Sequence, residues 1–195
     1  MAPVTPDPAR IHPFTGARGF GAWLAAHHAT EPEIWVKIMK KDSGVPSITW
    51  EEAVIEALCW GWIDGIKKGL DATAYLQRFT PRRKGSTWSR ANVGHAERAI
   101  AAGRMQPPGL AEVEAAQRSG RWDSAYAGQS DFEEPADFLA ALARVPEAQA
   151  FYDGLSRVNR YAVYFRLSRL RRAESRARKI DEYVAMFARG EAIHD

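Results

Sequence analysis

EALCWGWIDGIKKGLDATAYLQRFTPRRKGSTWSRAN, residues 56–92, is the stretch on which the fold turns. It contains the end of a helix, two extended runs around a polar turn, and a proline that closes the second run. Gly61 ends the helix that precedes it. Trp62–Lys67 and Ala74–Thr80 have strand character, and Lys68-Gly69-Leu70-Asp71 between them is a turn. Pro81 closes the second strand because it has no N–H to give to a ladder. The spacing predicts an antiparallel hairpin. The same stretch sets Trp60, Trp62 and Trp88 among Lys67, Lys68, Arg78, Arg82, Arg83, Lys84 and Arg90. Aromatic rings between cations, with Gly and Pro shaping the turns, describe a surface able to hold an anion or a nucleic acid.

Working outward, Glu33–Lys40 (EIWVKIMK) alternates Ile34, Val36 and Ile38 against Trp35, Lys37 and Met39, and is a third strand for the sheet. Ala17–His28 is a short helix with Phe20, Trp23 and Leu24 on one side. Thr49-Trp50-Glu51-Glu52 has the form of a capping box opening a helix that runs to about Trp60, with Ala53, Val54, Ala57 and Leu58 inward. Ser89 is placed to cap a helix from Arg90 to Ala102, stopped by Gly103. Pro107-Pro108 opens another that stops at Gly120, and Pro135 and Pro146 mark two more starts. Ser156–Arg172, with Val158, Tyr161, Ala162, Phe165 and Leu170 as its apolar stripe, and Ala173–Arg189, with Ile180, Tyr183, Val184 and Phe187, form a helical hairpin or one bent helix. Asp123–Glu134, acidic and polar, is expected as a surface connection. The expected architecture is α+β: a small antiparallel sheet of about three strands surrounded by helices, with a C-terminal helical hairpin. Residues 1–130 carry the α+β part and 131–195 a helical region packed on it, taken together as one structural unit.

The chain has 195 residues, enough to bury a core without staples. One cysteine, Cys59, excludes an intramolecular disulfide framework and suits a reducing compartment. The N-terminal MAPVTPDPARIHPF carries no apolar stretch of a secretion signal, and no run approaches the roughly 18 apolar residues of a membrane span. A cytoplasmic protein without membrane insertion is expected. The net charge of +3 hides a strong asymmetry. Residues 67–90 hold seven basic side chains and one acid, residues 156–180 nine and one, so the rest of the chain is acidic. Basic concentration of this kind builds a positive field on particular elements or is a solvated helix face.

Short motifs in this chain, GWIDG at 61–65, RFTPRR at 78–83, STWSRAN at 86–92 and GRM at 103–105, resemble the bacterial YdeI/OmpD-associated family, also called bacteriocin-protection proteins. ALCWGW before them, GRW at 120–122 and Ala173-Glu174-Ser175-Arg176 near the end extend the likeness over the chain from about Phe14 onward. The resemblance implies a link, by name, with envelope stress and resistance to cationic peptides. It implies no particular chemistry.

Among single residues, the loop Thr80–Ser89 is the leading site. Arg82 and Arg83 offer planar forks for phosphate or carboxylate oxygens, Lys84 adds a point charge, and a helix beginning near Ser89 aims free N–H groups at the same place. Trp88 is suited to stack on a base or ring, or to pack against an arginine. Alternatively the arginines pair with Glu51, Glu52 or Asp64 and Trp88 fills the core. Asp64, between Ile63 and Gly65, is a candidate general base or a turn residue. Cys59 is a nucleophile only with a histidine beside it, His95 being nearest in sequence, and is otherwise a buried thiol. His27 and His28 are adjacent and cannot share an ion as an i, i+4 pair would; no HExxH, CxxC, GxxxxGK[ST] or GxGxxG occurs. No metal or cofactor is expected. Trp23, Trp35, Trp50, Trp60 and Trp62 are expected in the core. Two functional classes follow. One is a stress-associated binding protein that engages an anionic ligand or nucleic acid through basic surfaces. The other is a small enzyme acting on a phosphorylated or carboxylated metabolite in a pocket of Trp62, Asp64, Arg78 and Arg82.

Overall fold

The computed structural model describes residues 4–194. The chain divides into two compact units. The first contains the residues up to Trp88 and Asn92–Ser124, the second Ala125 onward together with Ser89–Ala91. The fold is α+β.

In the first unit a four-stranded mixed sheet has the order β1 (Ile11–Pro13), β2 (Ile34–Met39), β4 (Ala74–Pro81), β3 (Trp62–Gly69). β2, β4 and β3 are antiparallel neighbours, and the β3–β4 hairpin expected from the sequence is present. The all-antiparallel, three-stranded expectation is corrected by β1, which pairs in parallel with β2. Its three residues, Ile-His-Pro, are too few to show alternation, and only the neighbouring strand makes them a strand. The hairpin turn is also tighter than its residues suggested, because β3 continues to Gly69. Asp71 fixes the reversal: its Oδ1 accepts from the N–H groups of Thr73 (2.7 Å) and Ala74 (2.8 Å). A register shift between Asp64 and Lys67 bends β3, and the buried Gln77 amide donates to the Gly65 carbonyl there (3.0 Å).

β2 does not alternate. Ile34, Trp35 and Val36 are all buried, because the strand is covered on both faces. Trp35 enters the core by donating its indole N–H to Glu33 Oε1 (3.3 Å). α1 (Ala17–His27) contributes Phe20 and Leu24, and α2 (Trp50–Cys59) contributes Val54, Ala57 and Leu58. The Thr49–Glu52 capping box that starts α2 is formed in both directions, Glu52 to Thr49 N–H at 2.8 Å and Thr49 to Glu52 N–H at 3.2 Å. Trp50 is 45% exposed, which corrects its expected core place; as the first residue of the helix it points away from the apolar face. Two further helices follow, α3 (Arg90–Ala101) and α4 (Pro107–Arg118).

The second unit is helical: α5 (Ala136–Leu142), α6 (Pro146–Asp153), α7 (Arg157–Ser168) and α8 (Ala173–Ala188). Phe138, Leu142, Tyr152, Val163, Leu167, Ile180, Tyr183 and Phe187 are its core. The inward face of α8 is the expected one. That of α7 is turned: Asn159, Val163 and Leu167 are buried, while Val158 is 52% exposed. The turn comes from a second demand on the helix. Tyr161 and Phe165 pack against Phe132 and Tyr126 of the segment preceding α5, which the sequence alone presents as a polar connector.

Candidate functional site

The arginines of the β4 strand and the loop after it fall into three environments. Arg78 is ion-paired with Glu33, Nε at 2.6 Å and Nη2 at 2.5 Å from Oε2. Arg82 is 7% exposed; its guanidinium carbon lies 3.9 Å from the centre of the Trp88 ring and its Nη2 donates to the Thr87 carbonyl (2.8 Å). Arg83 and Lys84 are exposed. Trp88 itself is buried, in ring contact with Trp122 at 4.9 Å. Ser86 helps close the loop by accepting from the Arg83 N–H (3.1 Å), and Arg121 reaches back to the Ser86 carbonyl (2.8 Å). Arg82, Trp88 and Arg121 therefore hold the loop from within, by cation–π and carbonyl contacts.

Asp64 is half-buried near this cluster. Burial raises its pKa above the ordinary range, while the Trp50 indole and the charge of Arg82 oppose that rise. Trp62 is buried and donates its indole N–H to the His28 carbonyl (3.2 Å). Ser89 lies in the second unit, in an isolated bridge to Tyr126. Cys59 is a buried thiol, pushed up to about 11 first by desolvation and then by Glu56, so it stays protonated at neutral pH. Burial and then Arg98, whose Nη2 lies 2.8 Å from Nδ1, hold His95 below its ordinary value. Among the described residues no group of three or more His, Cys, Asp or Glu is placed to hold a metal ion, and no helix is long and apolar enough to cross a membrane.

In the second unit the basic residues gather around the end of α7 and the start of α8. Arg166, Arg169, Arg171, Arg172 and Arg178 are exposed there. Arg176 is tied to Asp137 through Nε (2.6 Å) and Nη2 (2.8 Å), which holds the Asp137 carboxyl below its ordinary range. A pocket of about 350 Å³ in the same unit is lined by Phe132, Glu134, Leu155, Arg157 and Arg160. Arg157 and Arg160 belong to the basic cluster visible in the sequence. Phe132 and Glu134 were missed, since both sit in the presumed connector. The signal for them is the pair of aromatic residues, Tyr126 and Phe132, in an otherwise small and polar run.

The class of protein so defined is a two-part α+β chain, a mixed-sheet unit and a helical unit. Residues 12–112, just over half of the chain, match the family model of a domain of unknown function, DUF8412, and the chain belongs to that family. Residues 131–190 match the model described as "Bacteriocin-protection, YdeI or OmpD-Associated". The resemblance to that family is thus shown for one of the two domains. Most of the motifs that suggested it lie outside the matched segment, and only the pattern at 173–176 falls inside it. No curated protein and no solved structure matches the chain.

Proposed function

We propose that the protein is a non-catalytic binding protein that engages nucleic acid through the arginine-rich end of its helical unit. The observation that carries this reading is the exposure of Arg166, Arg169, Arg171, Arg172 and Arg178, with Glu174 as the only acid between 166 and 178. Arginine forks suit phosphate oxygens, and clustered arginines on one unit make a positive field that a polyanion follows. Arg83 and Lys84 of the first unit are exposed as well. The bacteriocin-protection family matched at 131–190 supports a role in that protection, with stress resistance as its setting and the cytoplasm, suggested by the lone buried thiol, as its place.

The test is fluorescence anisotropy with labelled single-stranded and duplex oligonucleotides at roughly 50 and 200 mM salt. Binding that weakens steeply with salt, and is much weaker but still measurable in the triple variant Arg166→Glu, Arg172→Glu, Arg178→Glu, is the expected result. These side chains are exposed, so the variant keeps its fold, which circular dichroism verifies. Absence of binding at the lower salt, or binding indifferent to the triple substitution, overturns the proposal.

A further inference from the structure

Arg157 and Arg160 both stand in the first turn of α7, a turn with no acidic residue. That is the wrong end of a helix for cations, because the N-terminal N–H groups already carry partial positive charge. Both arginines are nevertheless held in place. Arg157 donates through Nε to the Gln129 carbonyl (2.7 Å) and through Nη2 to the Ser130 carbonyl (2.6 Å), and its guanidinium lies 5.2 Å from the Phe132 ring centre. Arg160 donates through Nη2 to the Asp153 carbonyl (2.5 Å) and lies 5.1 Å from the Tyr152 ring centre. The buried Nε of Arg160 has no hydrogen-bond partner. Of the residues lining the pocket one is acidic: Glu134, 3.6 Å from Arg160 Nη1, which also accepts from the Tyr152 hydroxyl (2.8 Å).

Arg157, fixed by neutral carbonyls, keeps its charge for a ligand while Arg160 shares its own with Glu134, and the cost of ordering both is met before binding. With the α7 N-terminus they give the pocket a positive field that one carboxylate does not cancel. An anion there would offset the unfavourable placement of two cations at a helix N-terminus. Phe132 and Leu155 add an apolar wall, and Glu134 an acceptor for a hydroxyl or amine. The volume, about 350 Å³, lies at the small end of ligand pockets.

We propose that the pocket lined by Phe132, Glu134, Leu155, Arg157 and Arg160 binds a phosphate monoester attached to a sugar and a flat ring. A free nucleoside monophosphate and the 5′-phosphorylated end of a strand share this chemistry. The proposal deepens the anion-binding reading above and uses residues separate from the Arg166–Arg178 cluster, so the two can fail independently.

The experiment follows the arginine Nε–H resonances of the nitrogen-15-labelled full chain by NMR. The probes are adenosine 5′-monophosphate, adenosine, inorganic phosphate, and one oligonucleotide with a 5′-phosphate or a 5′-hydroxyl. The monophosphate is expected to shift the Arg160 Nε–H signal, inorganic phosphate to do so more weakly, and adenosine to leave it unmoved. A shift with the mononucleotide assigns the ligand as the free species. A shift with only the 5′-phosphorylated oligonucleotide assigns the strand end. Arg157→Gln should weaken the monophosphate about tenfold, the loss of one charge-assisted contact. If adenosine binds as well as its monophosphate, or no probe moves the Arg160 signal, the proposal is overturned, even where oligonucleotides still bind in the anisotropy assay. Monophosphate binding retained in a protein that fails to bind oligonucleotides would instead overturn the nucleic-acid reading alone.

Discussion

Arg82 shows how far the meaning of a residue depends on its depth. In the sequence it is one fork of Arg82-Arg83-Lys84; in the fold it is buried against Trp88 while its two neighbours stay in solvent. Arg82→Glu places a carboxylate in a site shaped for a cation and within the field of Asp64. We expect a loss of about 3–5 kcal/mol in urea unfolding, and no measurable loss for Arg83→Glu with Lys84→Glu. Equal stability of the two variants would contradict the buried cation. Asp64 makes a pH-dependent prediction. Burial raises its pKa in the folded protein, so the folded state holds the proton more tightly than the unfolded chain. The associated stability is complete below the ordinary carboxyl pKa and is lost as pH rises through the raised one. Unfolding measured between about pH 3.5 and 7 should show that loss in the wild type and a smaller one in Asp64→Asn. Curves of the same slope would remove the effect.

At the scale of elements, α2 and α4 approach more closely than side chains allow. A Cβ on Gly109, in the first turn of α4, would lie 2.3 Å from the Cys59 carbonyl oxygen and 2.7 Å from that of Leu58. Those oxygens are backbone at the end of α2 and cannot swing aside. Gly61 has φ +74°, and a Cβ there would lie 2.9 Å from the Pro108 carbonyl oxygen, so glycine is required on both sides of one contact. Gly109→Ala should therefore cost about 3 kcal/mol, the upper part of the range for overpacking, seen as a lowered urea midpoint. A variant as stable as the wild type would show that the two helices can separate without penalty. The elements themselves were readable to different degrees. α2 announced itself through Thr49 and Glu52, and the hairpin through its polar turn and Pro81, because these signals act over three or four residues. β1 and the turned face of α7 did not, since Ile11–Pro13 are extended by pairing with β2, and Tyr161 and Phe165 answer to Phe132 and Tyr126, partners far beyond a helical turn in sequence.

For the molecule as a whole, charge is the property that both reading and structure bring forward, in different places. The basic run at 67–90 looked like a site, yet folding places its Arg78 on Glu33 and buries Arg82. The run at 156–180 looked like solvated helix faces as readily as a site, yet it contains the exposed arginine cluster and the pocket arginines. If three exposed arginines each meet a strand phosphate, their reversal should flatten the logarithmic salt dependence of single-strand binding by about 2. A slope unchanged by the triple variant would place the binding contacts elsewhere.

The hairpin, the capped helix, most helix starts and the segregation of charge were determined by the sequence alone, because each rests on neighbours within a turn or on counting. Which arginines keep their charge available was decided only by tertiary structure. A guanidinium's partner is whatever carboxylate, carbonyl or ring the fold brings within about 3–5 Å. Glu33, Gln129 and Ser130 are brought there from other elements and loops, and Trp88 by the folding of Arg82's own loop.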